Sequence, residues 1–205
     1  MIRTSSQTQE EQVLALASST SLLRAKDVAA LSLPTIILSR LVQDGRLRRV
    51  TRGVYASPDL PLSEHISLAE IALRVPRGVI CLLSALRIHG LGTQAPHQVW
   101  LAIPQNSPTP RVERPSLRPI RMSGPALTEG VESRRIDGVD VPVFNAAKTI
   151  ADCFKYRNKI GIDVALEALR DGWAQRKISM DELSHYAHID RVSNVMRPYM
   201  ESVSA

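Results

Sequence analysis

Residues Ser57 to Leu62 read Ser-Pro-Asp-Leu-Pro-Leu, and this segment constrains the fold more than any other. Each proline fixes φ and lacks an amide donor, so no helix or strand continues through both. The 205 residues therefore divide into a short segment, 1–56, a linker, 57–62, and a longer segment, 63–205. With 44% hydrophobic residues the chain has enough material for real cores, which excludes a disordered chain or a coiled coil. Aromatic residues make up only 4%, so packing falls to Leu, Ile, Val and Ala, a balance closer to helical than to all-β domains.

In the short segment, Val13, Leu14 and Ala17 recur at helical spacing within Glu10 to Ser18, and Ala25 to Leu31 forms a second short helix with Val28, Ala29 and Leu31 apolar. A third helix begins around Pro34, whose missing N–H has no partner in a first turn anyway. It runs to about Asp44, and Gly45 supplies the stop. On a helical wheel Pro34, Ile37, Leu38, Leu41 and Val42 share one side and face the core. The other side holds Thr35, Ile36, Ser39, Arg40 and Gln43. An isoleucine is out of place on a plain solvated face. Hydroxyl, amide and guanidinium groups suit base edges and phosphates, and an apolar side chain suits a thymine methyl.

Two β-prone stretches, Leu47 to Val50 and Gly53 to Ala56, flank Thr51-Arg52 and predict a hairpin directly after that helix. Four of the seven residues from Arg46 to Arg52 are arginine: Arg46, Arg48, Arg49 and Arg52. On a protruding hairpin such a density contacts phosphates or reaches into a minor groove. Three helices followed by a basic hairpin spell a winged helix-turn-helix. The whole chain carries 26 basic against 20 acidic residues, a net charge of +6 that fits an acidic partner. The plainer alternatives are a protein-interaction module and a solvated strand face.

The longer segment mixes strands and helices. Ser63 caps a helix to Val75, a short strand covers Val79 to Leu82, one or two helical turns cover Ser84 to Leu91, and Gln98 to Ile103 is a strand containing Trp100. Residues 104 to 119 hold five of the 13 prolines and read as a surface loop. Strands follow at Leu117 to Met122, Glu132 to Ile136 and Val139 to Phe144, the last two joined by the turn-forming Asp137-Gly138. Helices then start at Asn145, Ile162, the Ser179/Glu182 capping box and about Arg191, with Pro198 expected to kink or end the last. The fold class is α+β, an N-terminal winged helix-turn-helix followed by a larger mixed domain with a small antiparallel or mixed sheet and a C-terminal helical part.

No phosphate-binding loop, dinucleotide fingerprint, zincin motif or nucleophile elbow occurs, and no enzymatic activity, cofactor or metal is expected. His185 and His188 with Asp190 lack a further ligand, and such histidines are common on surface helices. Asp137 and Asp140 are explained by turn chemistry and strand alternation rather than by a metal-dependent acid pair. His89 reads as a hydrogen-bonded structural histidine. Lys148, Lys155, Arg157 and Lys159 cluster on and after the helix starting at Asn145, a candidate basic surface whose simpler reading is a solvated helix face. Two thiols, Cys81 and Cys153, with no C-x-x-C pair, no secretory h-region and no apolar run of membrane length place the chain in the cytoplasm.

Gly45 to Tyr55, Ser84-Ala85-Leu86 with His89-Gly90-Leu91, Val99 to Pro104, Ile136 to Val139, Lys148 to Phe154 and Gly161 to Leu169 resemble, in order and spacing, the AbiEi family of antitoxins and transcriptional regulators. The resemblance covers roughly residues 10 to 200. It implies a bacterial antitoxin of the type IV toxin–antitoxin class, encoded beside a nucleotidyltransferase-like toxin and acting without a stable toxin complex as its defining feature. It also implies autorepression, with the N-terminal winged helix on operator inverted repeats in double-stranded DNA and the larger domain needed for antitoxicity. The DNA-contacting role then falls to Thr35, Ser39, Arg40 and Gln43 and to Arg46, Arg48, Arg49 and Arg52. From the residues alone, Ile36 and Thr51 belong to the same surface. Two readings stand beside this one: a larger domain that neutralises the toxin by direct binding, and a solitary transcriptional regulator. An inverted repeat can pair two copies on DNA without a dimer in solution.

Overall fold

A computed structural model describes residues 4–20, 22–59, 63–112 and 114–204; residues 60–62 of the expected linker lie outside it. The chain forms two compact units, Met1–Glu70 with Arg135–Asp140, and Ile71–Arg134 with Val141–Ala205. The architecture is mixed α+β.

The first unit starts with α1 (Thr4–Ser19), a two-residue strand β1 (Leu23–Arg24), α2 (Ala25–Ala30) and α3 (Ile36–Gln43), followed by the strands β2 (Arg48–Thr51) and β3 (Val54–Ala56). Val13 and Ala17 of α1, Val28 of α2, and Ile37, Leu38 and Leu41 of α3 close a core with Leu23, Leu33 and Leu47. The helical spacing had marked most of these. Pro34, expected to face the core, is exposed, and Leu31 just after α2 is 56% exposed. The chain bends tightly before α3, with Ile37 N–H donating to Pro34 O and Leu38 N–H to Thr35 O, so Thr35 occupies the N-cap position, without a side-chain capping bond, and Pro34 precedes it.

Gly45 ends α3 as expected. Its φ of +70° lets Gly45 N–H reach Val42 O while Arg46 N–H reaches Leu41 O, the paired bonds of a Schellman stop. β1 had no counterpart in the sequence reading. It pairs antiparallel with β3, Leu23 opposite Tyr55 and Arg24 opposite Val54, which makes the hairpin a three-stranded sheet of order β1-β3-β2.

Helix α4 (Ile66–Arg74) leads along the chain into the second unit. There β4 (Val79–Ile80), α5 (Leu82–His89), β5 (Val99–Pro104), β6 (Leu117–Met122), α6 (Pro125–Thr128), β7 (Val131–Ile136) and β8 (Val139–Phe144), except for Arg135–Asp140 around the β7–β8 turn, precede a helical part. The five strands form a mixed sheet of order β6-β5-β4-β8-β7, with β4 antiparallel to β5 and parallel to β8, and β5 parallel to β6. The helices are α7 (Ala146–Lys155), α8 (Arg157–Ile160), α9 (Ile162–Ala174), α10 (Met180–Ile189) and α11 (Ser193–Ser204).

Two caps are those read from the sequence: Asn145 Oδ1 accepts from Lys148 N–H, and Ser179 and Glu182 exchange the two bonds of a capping box. Helix α11 does not end at Pro198 but continues through it. The proline removes one intrahelical bond, a penalty of about 3 kcal/mol in a helix interior, and Val195, Met196, Tyr199, Met200 and Val203 pack against the core on both sides of it.

Candidate nucleic-acid interface

Helix α3 separates its faces sharply. Ile37, Leu38 and Leu41 are buried, while Ile36, Ser39, Arg40 and Gln43 are exposed at i, i+3, i+4 and i+7, one continuous stripe. Thr35 is exposed just before it. Ile36 is 58% exposed, the one large apolar side chain in a polar row. Val42, expected in the core, is half-buried.

The hairpin after α3 is irregular in a useful way. Arg48 pairs with Ala56 and Arg49 with Tyr55, but the next pair is Thr51 with Val54, so Val50 is an extra residue on β2. A bulge bends and twists its strand. Arg49 Nε–H spans this one, donating to Thr51 O at 3.4 Å. Gly53, at φ +76°, closes the turn behind Arg52. Arg49 and Arg52 are exposed, whereas Arg48 and Thr51 are half-buried. Arg46 lies within 3.5 Å of Glu10 of α1, an exposed pair whose partners exchange at little cost. Arg24 and Asp27 are joined by two bonds of 2.7 Å at the start of α2. Partial burial works against the Asp27 carboxylate, but Arg24 outweighs it and holds the group below its ordinary range.

The structure corrects the second candidate surface. Lys148 is fully buried, so it belongs to no basic face. Its ammonium donates to Asp152 Oδ1 at 2.6 Å and Asp190 Oδ2 at 3.1 Å, and sits 4.8 Å from the Phe144 ring centre. Lys155 donates to the other Asp190 oxygen at 3.1 Å. Arg157 is half-buried and donates to Phe154 O, and Lys159 is exposed above the Tyr156 ring. Of the four cations, two serve an ionic core that ties α7 to Asp190 at the end of α10.

The electrostatics of that core follow from its dryness. Burial pushes the Asp152 carboxyl up to about 8; Lys148 pulls it down, and the neighbouring Asp190 carboxylate adds to the rise. Burial also disfavours the Lys148 charge, but the two carboxylates outweigh it and hold the ammonium above its ordinary range. Asp152 Oδ2 is buried and accepts no hydrogen bond from the described residues.

The remaining polar residues read as structure. His89 is buried with Nε2 2.7 Å from Phe144 O, and burial lowers its pKa, so the neutral ring donates its Nε2–H there. Lys177 donates to His89 O and Gln175 to Gly90 O, satisfying carbonyls at the end of α5. Asp137 accepts from Ser63 N–H and Oγ–H within the first unit, and Asp140 pairs with Arg135. His185 lies 2.7 Å from Glu129, His188 is exposed, and Asp190 is committed to the two lysines, so these three do not converge. No group of three or more His, Cys, Asp or Glu among the described residues could hold a metal ion. No helix among them is long and apolar enough to cross a membrane.

No curated protein matches the sequence of this chain. Among solved structures, the crystal structure of RV2827C protein from Mycobacterium tuberculosis is similar in fold, with a TM-score of 0.60 and 16% identity over 87% of this chain and 71% of that one. A family model described as "Transcriptional regulator, AbiEi antitoxin" matches residues 11–58, the stretch that holds most of α1, β1, α2, α3 and the β2–β3 hairpin. Residues 11–58 are thus similar to the AbiEi antitoxin and transcriptional-regulator family.

Proposed function

We propose that this protein is a DNA-binding transcriptional autorepressor and the antitoxin of a nucleotidyltransferase-like toxin encoded beside it. In this reading residues 1–56 are a winged helix-turn-helix. Helix α3 enters the major groove with Thr35, Ile36, Ser39, Arg40 and Gln43, and the β2–β3 hairpin lays Arg49 and Arg52 on phosphate or in the minor groove, with Arg46, Arg48 and Thr51 beside them. The larger segment, 63–205, carries the antitoxin role.

The observation that supports this best is the exposed stripe of α3, followed within ten residues by a bulged hairpin with exposed arginines. An exposed isoleucine among hydrogen-bonding side chains suits a major groove that carries thymine methyls, and the Schellman stop after α3 fixes where the hairpin begins.

The test is a footprint of the full chain on the DNA immediately upstream of its own reading frame, together with a reporter driven by that DNA. Protection of an inverted repeat and repression that fails when Arg40 and Arg49 are replaced by alanine support the proposal. No protection, or repression indifferent to both residues, contradicts it. For the antitoxin role, co-expression with the adjacent toxin gene must restore growth, and co-purification separates direct neutralisation from an indirect route.

A further inference from the structure

We infer that Ile36 reads a thymine methyl, so that the DNA site contains a thymine facing the start of α3; this rests on the DNA-binding reading above. Ile36 is the first residue of α3 and stands one turn before Ser39 and Arg40 in the same exposed row. Every other member of that row can make or accept a hydrogen bond. The major-groove edge offers one apolar feature to match an aliphatic side chain, the C5 methyl of thymine. The N-terminal residues of a groove-bound recognition helix are the ones that meet base edges, which is where Ile36 lies.

Its chemistry suits the task. A β-branched side chain in a helix is held near one χ1 rotamer, so little rotational freedom is lost on contact. Ile36 is 58% exposed, and the core beneath it is closed by Ile37, Leu38 and Leu41. Replacing it therefore leaves folding intact. Leu31, 56% exposed at the end of α2, is the other large exposed aliphatic among the described residues of the first unit, and it supplies the control: a protein partner covering this region would involve both.

The experiment starts from a random duplex pool enriched on the full chain. Each thymine of the enriched duplex is then replaced singly by deoxyuridine, which removes only the methyl. Wild type, Ile36→Val, Ile36→Ser and Leu31→Ser are titrated against this set. At one position deoxyuridine is expected to weaken wild type roughly fourfold, the value of one buried carbon. Ile36→Val retains the penalty and Ile36→Ser loses it, binding both duplexes equally. A wild type indifferent to every deoxyuridine, or an Ile36→Ser variant that keeps the penalty, overturns the assignment while DNA binding itself stands. Loss of a dimer in solution on both Ile36→Ser and Leu31→Ser overturns it in favour of a protein contact. A pool from which nothing enriches removes the DNA-binding reading as well.

Discussion

Lys148 and Asp152 lie one turn apart on α7 and meet at 2.6 Å with both side chains fully withdrawn from solvent. Asp190, from the end of α10, closes the group on the other side of the ammonium and also accepts from Lys155. A cation so placed is held by its partners and in turn keeps them from being buried alone. Removing it leaves Asp152 without its partner in a dry site and Asp190 with Lys155 alone, and breaking such a buried pair costs about 3–5 kcal/mol.

Lys148→Ala should therefore destabilise the second unit by about 3–5 kcal/mol. Both tryptophans of the chain, Trp100 and Trp173, belong to that unit, so intrinsic fluorescence in a urea titration reports it selectively. A midpoint within error of wild type would show that the network contributes nothing.

The same network sets a pH dependence. The folded state raises Asp152 from its ordinary value near 3.8 to about 8, so it binds a proton that the unfolded chain has released. The stabilisation is complete below pH about 4 and is lost as the pH rises through about 8. His89 acts oppositely in its own range: burial lowers its pKa, so its stabilisation is present above pH about 6.5 and is lost as the pH falls. Comparing wild type with Asp152→Asn isolates the carboxyl, since the amide keeps an acceptor for Lys148. The urea midpoint of wild type should fall between pH 4 and 8 more steeply than that of the variant. Parallel curves would refute the account of Asp152.

Gly45→Ala tests how firmly α3 is stopped. Nothing lies within 4 Å of a Cβ built there, so the whole cost is that of a left-handed backbone, about 1–2 kcal/mol. Hydrogen exchange of α3 amides in the full chain should accelerate by roughly five- to thirtyfold while exchange in α9 is unchanged. Equal protection of α3 in both proteins would mean that the Schellman stop does not limit its opening.

Much of this was legible in the sequence because it is local. The spacing of Ile37, Leu38 and Leu41 with Gly45 defines α3, the Ser179/Glu182 pair announces α10, and Asp137-Gly138 announces a hairpin. What was not legible depends on partners distant along the chain. Leu23-Arg24 becomes a strand only because β3 lies beside it, 32 positions from Leu23 to Tyr55. Lys148 reads as a surface lysine because an i, i+4 Lys–Asp pair is usual on a solvated helix; its second carboxyl partner is 42 residues away. The local signal that points the other way is the apolar set Ala146, Ala147, Ile150, Ala151, Cys153 and Phe154 around it, and in the structure every residue from Ala146 to Phe154 is buried. Pro198 follows the same pattern, since packing on both sides of it outweighs a local rule.

The central claim is that residues 1–56 hold DNA through α3 and the arginine hairpin, and its most direct test is the salt dependence of binding to the upstream DNA. Titrations of wild type, Arg49→Ala, Arg52→Ala and the double variant across a range of salt give the slope of log affinity against log salt. Each arginine on a phosphate should remove about 0.9 from the magnitude of that slope and weaken binding at low salt, the two losses adding in the double variant. Identical slopes and affinities for all four proteins would contradict the account.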